Sequence, residues 1–175
     1  MPDPIDYEQT EAEAALLRGA AEDAMGRAGA TGGALGGLVG GAGGGGVAGG
    51  AGGSVGGARG GARGGRLGVR LTRVHTAGEE FETGLAPDAV AARVRESIAE
   101  HGTEIEDPNA AGDSSIWALV AAGSMNMNVA LVRVAVEPSG KGSSVSMRAS
   151  AHEGRIGRKN TGATAIERMA TRLRS

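Results

Sequence analysis

The stretch "VALVRVAVEPSGKGSSVSMRASAHE", residues 129–153, decides the fold. "VALVRVAVEP" reads as a long strand and "SGKG" as a hairpin turn. "SSVSMRASAHE" reads as a second strand, with Val145, Met147, Ala149 and Ala151 on one face. Upstream, "SSIWALVAAG" is another long strand, joined through "SMNMN", and "TEIED" is a short strand turned by "PNAAGD". Earlier still, "RLGVRLTRV" reads as a strand with Leu67, Val69 and Leu71 alternating against Gly68, Arg70 and Thr72, and "EEFETGL" as a strand centred on Phe81.

Two helices interrupt and close this series. In "LAPDAVAARVRESIAEHG", Pro87 suits the first helical position and Asp88 the positive helix end, while Val90, Val94 and Ile98 repeat every four residues. Gly102 supplies the stop. The last helix runs from Ala163 to about Leu173, with Ile166, Met169, Ala170 and Leu173 on one face. Strands, helix, strands, helix predict an α+β domain over 67–175. Its architecture is a two-layer antiparallel sheet of about four to six strands with both helices on one face. A curved sheet with a helix across it encloses a small apolar pocket. The arrangement in Leu85–Arg174 resembles small bacterial α+β domains of unknown function related in shape to the helix-grip (START-like) group. That resemblance is one of element order, and it brings no functional residue with it.

Two further parts precede the domain. Residues 1–30 carry seven acids and two arginines, and residues 7–27 read as a short helix with Leu16, Leu17, Ala20, Ala24 and Met25 as its apolar positions. No apolar run there suits a cleavable signal peptide. Residues 31–66 are the glycine-rich part. Residues 32–66 hold 20 of the 34 glycines, and Gly33, Gly37, Gly41, Gly45, Gly49, Gly53, Gly57, Gly61 and Gly65 recur every four residues. A four-residue glycine period is what close helix–helix packing requires, because small residues let backbones approach. Between Gly32 and Gly57 the segment resembles bacterial glycine-zipper regions, and that resemblance implies association with membranes or with copies of the same chain.

Energetics restrict the zipper. Glycine costs about 1 kcal/mol per helical position relative to alanine, so twenty cost roughly 20 kcal/mol in an isolated helix in water. A helix here needs lipid or a packing partner; without either the segment is a flexible linker. Residues 28–58 carry no charge. As one helix they span a roughly 30 Å bilayer core, whereas each arm of a hairpin turning at Gly43–Gly46 is too short to cross. Arg59, Arg63 and Arg66 flank the C-terminal end, which puts 67–175 in the cytoplasm if the segment spans. "ARGGARGGR" also suits an arginine–glycine nucleic-acid tail, but it holds no aromatic residue for base stacking. Residues 67–175 carry thirteen charges of each sign, a neutral balance that argues against a nucleic-acid domain.

No catalytic constellation, metal set or cofactor motif emerges. The chain has no cysteine, which removes thiolate chemistry. His75, His101 and His152 are scattered, and His101 suits a helix C-terminus. Glu79, Glu80, Glu104, Glu106 and Asp107 read as solvated acids, and Ser114, Ser115, Ser143 and Ser144 as turn residues. The GxGxxG matches in the glycine segment have no strand before them and reflect composition. Arg155, Arg158 and Lys159, with the arginines of the last helix, suit a phosphate or an anionic membrane surface. Met125 and Met127 suit a hydrophobic contact, and Trp117 the core. The expectation is a non-enzymatic, cofactor-free cytoplasmic protein. Its partners are copies of itself or lipid, with a small apolar ligand or a protein on the α+β domain. The alternative is a soluble binding module with a passive linker.

Overall fold

The structure, a computed structural model, describes residues 3–4, 8–69, 72–110, 112, 114–122, 128–153 and 161–174; for 3–4, 32–56, 65 and 68 it describes the backbone alone. The elements are β1 (Asp3–Pro4), α1 (Glu11–Val69), β2 (Arg73–Thr83), α2 (Pro87–His101), β3 (Gly102–Ile105), β4 (Ile116–Ala122), β5 (Asn128–Ser139), β6 (Gly142–Glu153) and α3 (Thr161–Arg174). The chain forms two compact units, Met1–Leu17 with Arg73–Ser175, and Arg18–Thr72. The sequence groups 1–30 as one element, whereas the two units divide it at Leu17.

The first unit is an α+β domain on an antiparallel sheet of order β1-β2-β6-β5-β4-β3. The stretch 129–153 supplies its centre, with β5 and β6 paired from Ala130↔Ala151 to Ser139↔Gly142. Gly142 has φ 139°, a backbone angle that a side chain resists, so the "SGKG" turn needs glycine there.

Strand alternation gives the sheet two distinct faces. On the first, the cross-strand row Ala77, Ala149, Val132, Ala118 is buried with its neighbours Val145, Met147, Ala151 and Val134. These residues share one core with Val90, Val94 and Ile98 of α2 and with Ile166, Met169, Ala170 and Leu173 of α3. Met147, Ile166 and Met169 are among the largest buried side chains in that core. Ion pairs tie the layer together at its rim: Arg172 with Glu100, and Arg174 with Glu79. Arg174 also lies 4.7 Å over the Phe81 ring.

The second face carries a smaller cluster. Leu17, from the first turns of α1, is buried with Trp117 and Leu131, and Leu16, Ile105 and Leu119 pack around them. Thr10 and Glu13 start the helix as a capping box. The Glu13 N–H donates to Thr10 Oγ1 (3.2 Å), and the Thr10 N–H donates to Glu13 Oε2 (3.1 Å). Asn109 Nδ2 donates to Glu13 Oε1 (3.0 Å), so the same carboxylate ties the helix start to the β3–β4 connection.

In the second unit α1 continues to Val69, through the glycine segment. A straight helix separates Asp23 and Arg66 by about 64 Å at 1.5 Å per residue. Their side chains instead lie 3.9 Å apart. The chain therefore reverses between Gly29 and Gly61, and the backbones meet there. A Cβ added to Gly29 would sit 2.7 Å from the Gly61 carbonyl carbon, closer than real side chains come. At Gly29 and Gly61 the packing partner that glycine's helix cost demands is thus the same chain, and 28–58 is no single straight rod.

Two expectations need correction. Residues 67–69 are not strand. Leu67 is 54% exposed and Val69 buried, on opposite sides of a helical turn, whereas a strand puts both on one face. The Thr72 N–H (3.1 Å) and Oγ1 (2.5 Å) both donate to the Val69 carbonyl and close the helix. β2 begins at Arg73 and absorbs the strand centred on Phe81, because β6 offers eleven partners in register from Glu153 to Ser143. Leu71, Met125 and Met127 lie outside the described residues. Gly102 stops α2 as its place in the sequence requires, in an extended conformation, φ −167° and ψ −153°, and its N–H donates to the Ile98 carbonyl as β3 begins.

Candidate functional site

Beyond the cluster around Trp117, the second sheet face is polar. Register alone stacks its side chains in levels. Arg133 and Arg148 are cross-strand partners, flanked by Trp117 on β4 and Gly78 on β2. One level on, Ala135 and Ser146 pair, with Glu80 beside them; the next holds Glu137, Ser144 and Glu82. Levels two residues apart along a strand are about 6.7 Å apart. The small Ala135 side chain leaves a trough of about 290 Å³, lined by Glu80, Arg133, Glu137, Ser144, Ser146 and Arg148.

The trough is held in place by its own bonds. Arg133 Nε donates to Ser115 Oγ (3.1 Å), and its guanidinium stacks 5.4 Å above the Trp117 ring. Ser146 Oγ donates to Glu80 Oε1 (3.2 Å). Two guanidiniums stand directly opposite on neighbouring strands, a like-charge pairing that a sheet disfavours unless other groups offset it, and Glu13 lines the gap beside them. An arrangement that breaks a local rule in an otherwise consistent sheet marks a place where function is expected.

At the arginine end the trough meets a gap of about 10 Å³ lined by Gln9, Glu13, Trp117, Leu131, Arg133 and Ser150. Trp117 Nε1 and Gln9 Nε2 are buried there without a hydrogen-bond partner, a costly state for a donor. Glu13 and Ser150 already take part in other bonds, the latter with Thr76 Oγ1 at 2.9 Å. This end is therefore rich in donors, while the far end carries carboxylates.

The residues singled out in the sequence fall elsewhere. Gly33, Gly37, Gly41, Gly45, Gly49 and Gly53 lie within α1 where the backbone alone is described, and Arg155, Arg158 and Lys159 lie outside the described residues. Gly57 is half-buried, in the same arm as Gly61. Arg59, Arg63 and Arg66 are exposed on that arm, and Arg66 is paired with Asp23. Its side chain also covers Gly26: a Cβ there would be 3.0 Å from Arg66 Nε. Among the described residues no group of His, Asp and Glu is placed to hold a metal, and no helix is long and apolar enough to cross a membrane.

The apolar alternation of β5 and β6 points to the core face and says nothing of the trough. The complementary alternation, Arg133-x-Ala135-x-Glu137 and Ser144-x-Ser146-x-Arg148, is equally regular and was the available signal. Comparison with known proteins yields no family model that matches the chain, and none of the curated proteins matches it.

Proposed function

We propose that the protein is a non-catalytic assembly module. Its glycine-rich helix associates with copies of itself, or with lipid, and thereby presents the α+β domain as a binding unit. The observation that carries this reading is the meeting of Gly29 and Gly61. The glycine backbone is used for helix-on-helix approach within the chain. Repetition of the same spacing through Gly57 supplies further surfaces of that kind. A passive linker has no use for such a register.

The test compares the full chain with a variant lacking residues 31–66, by analytical ultracentrifugation and by flotation with vesicles of neutral and of anionic lipid. The expected result is association of the full chain, in one assay or the other, that the deletion abolishes. A full chain that stays monomeric and sediments free of vesicles sinks the proposal. Flotation with vesicles in place of self-association assigns the helix to lipid.

A further inference from the structure

We infer that the trough on the open sheet face binds a short free peptide in extended form. Its carboxylate lies at Arg133 and Arg148 and its ammonium at Glu80 and Glu137. This rests on the reading of the α+β domain as a binding unit, and it is independent of what α1 associates with.

Charge complementarity selects the occupant. The cationic end presents two opposed guanidiniums, a pair that suits a carboxylate, while the gap of about 10 Å³ behind them, where the donors of Trp117 and Gln9 lie, has room for no more than a water. Glu80 lies one level away and Glu137 two, or about 7 and 13 Å along the strands. A ligand that satisfies both ends needs opposite charges about 7–13 Å apart. An extended tripeptide, about 10 Å long at 3.3 Å per residue, meets that requirement. A lone anion leaves the carboxylates unanswered, and a lone cation is repelled by the arginines. Ser146 offers a hydroxyl between the two ends, where the peptide's own amides lie, and Ser144 another beside Glu137.

Trp117 provides the readout. It is the single tryptophan and stacks against Arg133, so engagement of that guanidinium alters its emission. The full-length protein is titrated with trialanine, N-acetyl-trialanine and trialanine amide, with calorimetry alongside. Trialanine is expected to bind, and each blocked form to bind at least about tenfold more weakly, since each loses a charge-assisted contact. R148Q and E137Q are expected to weaken trialanine binding by a similar factor while leaving the amide and N-acetyl-trialanine, respectively, less discriminated against. Absence of trialanine binding at millimolar concentration overturns the inference. Equal binding of the acetylated form overturns it in favour of a simple anion site, and equal binding of the amide overturns it in favour of a cation site. Sedimentation of the same samples reports association separately, so failure of this inference and failure of the assembly reading are distinguishable.

Discussion

Replacing Glu13 by alanine tests how the start of α1 is fixed to the sheet. Glu13 is 1% exposed, and its carboxylate accepts from the Thr10 N–H at 3.1 Å and from Asn109 Nδ2 at 3.0 Å. Loss of the capping box costs about 1 kcal/mol. Loss of a hydrogen bond to a charged group costs about 1.5–3 kcal/mol. Asn109 is only part-buried and regains some hydration, so the sum is about 2–4 kcal/mol with the lower value favoured. Glu13→Gln keeps one acceptor oxygen and is expected to lose about half as much. Urea unfolding followed by Trp117 emission is the assay, because Trp117 is buried in the cluster that holds Leu17. With a slope of about 2 kcal/mol per molar, the midpoint falls by about 1 M. Asn109→Ala alone and the double variant complete a cycle, with a coupling of at least about 0.5 kcal/mol expected. A midpoint unchanged within about 0.2 M, or strict additivity with Asn109→Ala, refutes the tie between the helix start and the β3–β4 connection.

Two further substitutions probe the rest of the chain. Gly29→Leu forces a side chain against the Gly61 backbone; it should lower the helical signal in far-UV circular dichroism, whereas Gly19→Leu, at a position with open space, should not. Met147→Ala empties the centre of the main core and is expected to cost about 2–5 kcal/mol in urea unfolding, with the spread set by how far Ile166 and Met169 relax into the gap.

Much of the α+β domain was legible because periodicity and turn chemistry agree there. Val145, Met147, Ala149 and Ala151 are all fully buried on one sheet face, as their alternation requires. Val90, Val94 and Ile98 face the same core from α2. The helical state of 67–69 was not legible, since a short alternating apolar run carries the strand period whatever the preceding helix does, and only its continuity with α1 overrides that period. Thr10-Glu-Ala-Glu13 was a readable capping box that fixes the helix start, and it passed unnoticed among the acids of the N-terminus. The reversal of α1 was hidden for a different reason. Glycine periodicity says that backbones approach closely, but it does not say which segment supplies the other backbone. The trough depended on register: Arg133 and Arg148 are fifteen positions apart in sequence, and only the β5–β6 pairing places them opposite one another.

The ends of the sheet carry a consequence for a chain that associates. β3, at one margin, has four residues, and β1, at the other, has two, one of them Pro4. Along the strand that β1 only partly covers, β2, stand Glu79, Glu80 and Glu82. Short margins, a proline and a row of like charges each discourage strand-to-strand growth between molecules. Where copies gather through α1, as proposed, their local concentration rises, the condition under which open sheets fuse into fibres. These margins let the domains stand side by side in such an assembly without polymerising, so that concentration should raise particle size while leaving the β-sheet signal per chain constant.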